Sequence, residues 1–331
     1  MSLESLRFTR RDLLKYAGSL TALSAVYGVS PNLINVLYLS SKEVRSPRLK
    51  EKVSFTPISL GVYPHDNRLS QTPAMGTSTI VGYFPSWQHW RIPDIQNLSE
   101  SQVPMLSLAP NHGNRYQPFR SHDVIDQQAH IQRQAQQFHR LPKIYIRYGY
   151  EMNGNWFPYG RHTQAPSEFV AGWNTFVPMV KSVLPQAQFI WAPNVDAQIQ
   201  SYYPAGEYEP DIIGLDGYNK HSGRWDQIRK MNPNPTFTQL FGSDIRMLQD
   251  ISEKPIWITE IGAAMDSPAR TLDWMTDALT TAPLFERVEA VCIFAWNKYR
   301  HRLDLTEADW GSVCGEQLAE TIRQSQLYHF T

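Results

Sequence analysis

The chain has 331 residues, with 31 basic and 31 acidic side chains and a formal net charge of zero. That balance gives no electrostatic reason to expect nucleic acid or an anionic surface as partner. Two cysteines, Cys292 and Cys314, exclude a disulfide framework, and no CxxC or HExxH spacing offers a metal site. A core uses many of the ten Trp, sixteen Tyr and fourteen Phe, and carbohydrate sites draw on the same rings.

Residues 9–15, TRRDLLK, carry Arg10 and Arg11 as the pair of a twin-arginine export motif. No charged residue occurs from 16 to 41, and that stretch is close to the length of a membrane span. Residues 1–41 are therefore expected to export the chain to the periplasm or the medium. Where they are not removed, residues 16–41 are expected to attach it to a membrane. A basic, amphipathic first helix is the other reading. Residues 42–56 read as a linker, and residues 57–331 as one catalytic domain.

From Pro57 onward eight short apolar runs recur, beginning near Ile58, Ile80, Pro104, Ile144, Phe189, Asp211, Pro255 and Val288. They are nearly continuous in apolar residues, as expected of parallel strands buried on both faces. Helical patterns lie between them, at residues 123–139, 167–184, 236–251 and 269–279. Ser167 is placed as an N-cap, and Pro178 is expected to kink or break its helix. Eight strands alternating with helices predict an α/β fold, a single (β/α)₈ TIM barrel. A doubly wound sheet is the alternative, and the lack of a Gly-rich phosphate loop after the first strand argues against it.

Such a barrel gathers its active site at the C-terminal ends of the strands. The first three ends carry Tyr63, His65 and Asp66, then Trp87 and Trp90, then Asn111 and His112. The fourth offers Glu151, Asn153 and Trp156, and the fifth Asn194 and Asp196. Asp216, Tyr218 and Asn219 end the sixth, Glu260 the seventh, and Trp296 and Asn297 the eighth. Carboxyl groups handle protons, and flat rings stack on the apolar faces of sugars. Glu151 and Glu260 face each other across the mouth and are the candidate catalytic pair; a retaining glycosidase holds two such groups roughly 5–5.5 Å apart. Trp87, His112, Asn153 and Asn194 are candidate substrate contacts. A single Glu or Trp at a strand end is as readily a solvated or packing residue, so their concentration carries the reading. Hydrogen bonding to sugar hydroxyls accounts for the Asp and His residues, and no metal or cofactor is expected.

These residues carry a family resemblance. The segment YGYEMNGNWFPYG (residues 148–160) resembles the fourth-strand signature of glycoside hydrolase family 26, the β-mannanase family, within the large clan of retaining (β/α)₈ glycosidases. GVY, GYFPSW, FIWAPN, SYYPAGEYEPDIIGLDGYN and PIWITEIG resemble other strands of that family, so the likeness runs from Ile58 to Asn297. It implies that Glu151 is the acid/base and Glu260 the nucleophile. It implies that Arg147 holds carboxylates in place, that Tyr218 hydrogen-bonds the nucleophile, and that Trp156 and Trp296 form sugar-stacking surfaces. One position departs: where the family has His before the acid/base, this chain has Tyr150, a neutral and larger group that can stack and hydrogen-bond. The implied activity is endo-acting cleavage of a β-linked polysaccharide or oligosaccharide. β-Mannan, β-glucan, xylan and an exopolysaccharide remain open as substrates. A non-catalytic carbohydrate-binding barrel and a transglycosylase in exopolysaccharide assembly are the alternatives.

Overall fold

Eight parallel strands close on themselves in a barrel. They are β1 (Ile58–Tyr63), β2 (Ile80–Tyr83), β3 (Val103–Leu108), β4 (Ile144–Tyr148), β5 (Ala187–Trp191), β6 (Ile212–Lys220), β7 (Ile256–Ala264) and β8 (Val288–Phe294). Each pairs with the next in sequence, β8 pairs with β1, and β1 with β2, which shuts the ring. The computed structural model describes residues 48–50, 57–64, 67, 78–93, 95–110, 120–195, 198–220, 234–265, 267–295 and 316–329. Residues 1–41, expected from the sequence to export the chain, lie outside the described residues.

The strands read as continuous apolar runs because both faces are covered. On β4, Ile144, Ile146 and Tyr148 join the outer core against the helices, whereas Tyr145 joins the core of the lumen. Among the described residues the α-helices are α1 (Ser121–Asp126), α2 (Gln128–Gln136), α3 (Pro166–Lys181), α4 (Phe237–Ile251), α5 (Pro268–Thr281) and α6 (Glu316–Ser325). The helix expected over 123–139 is two pieces separated at Gln127. α3 starts one residue before the expected cap: Ala165 is its N-cap, Pro166 its first residue, and the Glu168 carboxylate accepts from the Ala165 N–H. Pro178 does not break α3. It sits in the last turn, flanked by buried Val177 and Val180, and its own carbonyl accepts from Ser182 N.

Two further segments close the bottom of the barrel. The short strand β9 (Tyr328–His329) pairs with Ile58 and Ser59 at the start of β1. Residues 48–50, in the stretch 42–56 read as a linker, form a strap. Leu49 bridges Phe285 antiparallel, and the Gln249 amide both accepts from Arg48 N (2.7 Å) and donates to Arg48 O (3.0 Å). Phe285 and Gln249 stand just before β8 and near the end of α4, so the strap lies on the face opposite the mouth.

Candidate active site

Strand alternation sends Arg147 into the lumen, one step above Tyr145. Its guanidinium is fully buried. Nη1 donates to the Tyr63 hydroxyl at 2.7 Å, and that oxygen lies 2.9 Å from Ser107 Oγ. Nη2 donates to Asp216 Oδ2 at 2.9 Å and to Glu260 Oε1. The ring of Tyr150 covers the guanidinium, 4.4 Å from its central carbon. Arg147 thus holds carboxylates, as the resemblance implies, from beneath the site, where no substrate reaches it.

Beyond β4 the backbone turns sharply. Gly149 has φ +58°, and a Cβ there would lie 2.9 Å from the Phe169 ring. Glu151 takes a left-handed φ of 54° without being glycine, a conformation that costs on the order of 1–3 kcal/mol. Its N–H donates to Ala192 O at 2.7 Å, and its carbonyl accepts from Gly154 N. This turn presents the carboxyl to two separate donors. Asn194 Nδ2 meets Oε1 at 2.6 Å, and Trp156 Nε1 meets Oε2 at 2.6 Å. The Trp156 indole lies flat on Gly154, where a Cβ would come within 2.4 Å of it, and is 46% exposed.

On β7 the alternation breaks where it matters. Ile256 and Ile258 face the helices and Trp257 the lumen. Leu215 of β6 stands opposite Ile258, but Asp216 stands opposite Glu260, which leaves Thr259 as an extra residue. The pairing with β8 slips over the same span. Unbroken alternation would turn Glu260 toward the helices; the bulge returns it to the lumen and Ile261 to the outer core. Thr259 itself donates to Asp216 Oδ1 at 2.6 Å. Glu260 then accepts from Arg147 on one oxygen and from the Tyr218 hydroxyl on the other.

Two buried carboxyl groups, Asp216 and Glu260, therefore share one guanidinium, with Glu151 nearby on its own donors. Burial and then the charge of Glu260 push the Glu151 carboxyl up to about 7, against the Trp156 and Asn194 hydrogen bonds and the more distant Arg147. Asp216 is also raised well above the usual carboxylate range, by burial first, although Arg147 opposes it. The sign for stability follows. Between the ordinary Glu value of 4.5 and about 7, the native state keeps the Glu151 proton that the unfolded chain has released. That contribution to stability is complete below this window and is lost as pH rises through it.

Of the predicted site residues, Glu151, Asn194, Trp156, Arg147, Tyr218 and Glu260 come together. Tyr150 joins them as the cover over Arg147. Asn153 is fully buried and braces the site: its amide donates to Asn194 O at 2.7 Å and accepts from Asn194 N at 2.9 Å. Trp87 is a correction. It is 3% exposed, packs against Trp90, Tyr148 and Phe176, and donates to Gln127. Its indole fills the layer between barrel and helices, so it cannot stack on a sugar. His65, Asp66, Asn111, His112, Asp196, Trp296 and Asn297 lie outside the described residues. Tyr63 and Asp216 stand among the strand-end residues of the sequence, but nothing there marks them as partners of Arg147. Phe84 had no signal beyond its neighbours in GYFPSW.

The fold has counterparts. A family model for glycosyl hydrolase family 26 matches residues 84–267. Among solved structures, the catalytic domain of the family 26 endo-β-1,4-mannanase of Bacillus sp. JAMB-750 superposes with a TM-score of 0.61 at 16% identity, over 83% of this chain and 88% of that one. The Cellulomonas fimi endo-β-1,4-mannanase double mutant gives 0.57 at 16% identity, over 83% and 72%. The Bacillus subtilis mannanase man26 gives 0.53 at 15% identity, over 82% and 86%. At such identities the likeness is one of fold. No curated protein matches the chain.

Proposed function

The chain belongs to glycosyl hydrolase family 26, and on that premise we propose that it is a retaining, endo-acting β-glycosidase with Glu151 as acid/base and Glu260 as nucleophile. One observation carries the assignment: the two carboxyl groups are held for opposite tasks. Glu260 accepts hydrogen bonds from Arg147 and Tyr218, which aim its carboxyl group into the lumen. Burial and the neighbouring Glu260 push the Glu151 carboxyl up to about 7, so at neutral pH a large fraction carries the proton that a leaving oxygen needs. Attack by Glu260 consumes its charge in a covalent glycosyl-enzyme. With that charge gone Glu151 loses its proton more readily and can activate the water that completes hydrolysis.

β-Mannan is the first polysaccharide to test, because the similar structures named above are mannanases. Tyr150 at the His position of the family makes mixed-linkage β-glucan and xylan necessary members of the panel. Proton NMR of the first products should show the β-anomer before mutarotation; an α-anomer from a proven substrate ends the retaining reading. Adding excess acceptor sugar separates hydrolysis from transglycosylation. A barrel that binds these polymers but cleaves none is a binding protein.

The pH profile tests the acid/base directly. Activity on polysaccharide is expected to fall above about pH 7 as Glu151 loses its proton. Trp156→Phe keeps a ring for the sugar and removes a donor that favours the charged carboxylate. The alkaline limb should then move to higher pH while affinity changes little. An unmoved limb would show that the Trp156 hydrogen bond does not tune Glu151. Because Trp156 is half exposed, Trp156→Ala should weaken affinity with little change in melting temperature.

Export through residues 1–41 is part of the same proposal, motivated by Arg10-Arg11 ahead of an uncharged stretch. Changing both to Lys should strand the protein in the cytoplasm, as read by fractionation. An unchanged envelope location removes the signal.

A further inference from the structure

Both donors on Glu260 are backed by aromatic rings, and those rings converge on one side chain. Phe84 follows β2 directly. It stacks on Tyr63, with ring centroids 4.7 Å apart, and meets Tyr150 at 5.7 Å and Phe294 at 5.9 Å edge-on. Each of these three rings stands behind a donor. Tyr63 accepts from Arg147 Nη1, and Tyr150 covers the Arg147 guanidinium. Phe294 meets Tyr218 edge-on at 5.7 Å. Aromatic pairs of this kind have preferred offsets and tilts, so they fix the angle of a ring as well as filling space.

Phe84 is itself held at an unusual place. Its N–H donates to Asn67 Oδ1 at 2.8 Å, and its carbonyl accepts from Asn67 Nδ2 at 3.1 Å. One side-chain amide thus pairs with both main-chain groups of Phe84, as a neighbouring strand would. Asn67 can do this because it takes a left-handed φ of 57°, which Asn tolerates better than most residues. Two polar bonds spent on one loop residue are more than apolar filling needs.

We propose that Phe84, clamped by Asn67, is a positioning residue for the nucleophile: it sets Tyr63, Tyr150 and Phe294, and through them the two donors on Glu260. The proposal rests on the reading of Glu260 as nucleophile. Loss of the ring lets Arg147 and Tyr218 drift, and the carboxylate they hold drifts with them. A displacement of this sort acts on the reaction rate, because the attacking oxygen is misplaced.

The test uses Phe84→Leu and Asn67→Gly in the full chain, assayed on the polysaccharide that the wild type cleaves and on the 2,4-dinitrophenyl β-glycoside of its repeating unit. Asn67→Gly keeps the left-handed backbone and removes both bonds, so it serves where Phe84→Leu fails to fold. Both variants are expected to lose on the order of 10- to 100-fold in kcat with KM nearly unchanged. The loss should be equal on the two substrates, because a misplaced nucleophile slows attack whether or not the leaving group needs a proton. Wild-type kcat in either folded variant overturns the proposal. So does a loss confined to KM, or one seen on polysaccharide alone. Glu260→Ala assayed alongside separates the two levels: if it remains active, the nucleophile reading itself fails, whereas an inactive Glu260→Ala beside an unimpaired Phe84→Leu removes only the role of Phe84.

Discussion

Glu260→Ala will abolish turnover on every substrate, and azide will restore part of it as a glycosyl azide of inverted configuration. The small anion fits where the carboxylate was, attacks the anomeric carbon from the same side, and cannot be displaced by the water that Glu151 activates. Glu151→Ala behaves differently. It loses on the order of 10²–10⁴-fold on polysaccharide, whose leaving oxygen needs a proton. On a dinitrophenyl glycoside the first step survives, the glycosyl-enzyme accumulates, and azide speeds its breakdown to a product of retained configuration. Product stereochemistry by NMR decides between the two assignments. A retained azide from the Glu260 variant and an inverted one from the Glu151 variant would exchange the roles. The asymmetry expected in solution mirrors the asymmetry of the site, in which Arg147 and Tyr218 serve Glu260 while Asn194 and Trp156 serve Glu151.

Arg147→Met will cost about 3–5 kcal/mol of stability, because it leaves Asp216 and Glu260 buried without their counter-charge. For a domain of this size that is a fall in melting temperature of roughly 10 °C. The pH dependence identifies the cause. Arg147 opposes the rise of both the Glu151 and the Asp216 values, so its removal raises them further. The variant then holds its protons to higher pH, and its stability declines more steeply as pH rises. The gap between variant and wild type should therefore be widest near pH 8 and narrow toward pH 4. A gap that is the same at every pH would point to lost packing around the guanidinium. Arg147→Met combined with Asp216→Asn should be less destabilised than Arg147→Met alone, since one of the two stranded carboxylates is gone.

The barrel was legible because parallel strands covered on both faces must be apolar throughout, and eight such runs stand out between amphipathic stretches. Glu151 and Glu260 were legible because they end the fourth and seventh runs. The direction of a strand-end side chain was harder to read. Trp87 and Trp156 look alike in sequence, each an indole just past a strand among polar residues, yet one packs under a helix and the other covers the cleft. Loop geometry decides between them, and it depends on contacts distant in sequence such as that of Trp87 with Phe176. Glu260 shows the same limit more sharply. Counting by twos along β7 turns it away from the lumen, and only the Thr259 bulge, a matter of pairing with β6 and β8, turns it back. Pro178 misleads because a helix-breaking residue in a final turn has few hydrogen bonds left to break, and Val177 and Val180 are packed on either side of it.

The strap at residues 48–50 decides from which side this barrel can be held. At Arg48 and Leu49 the chain is pinned to the closed end by the Gln249 amide and the bridge to Phe285. A tag joined directly at Arg48 would therefore act as a handle at the back of the molecule. A barrel coupled to a bead, a bilayer or a fused module in this way keeps its cleft turned to the surrounding solution, open to a long polymer that could not thread between the protein and its support.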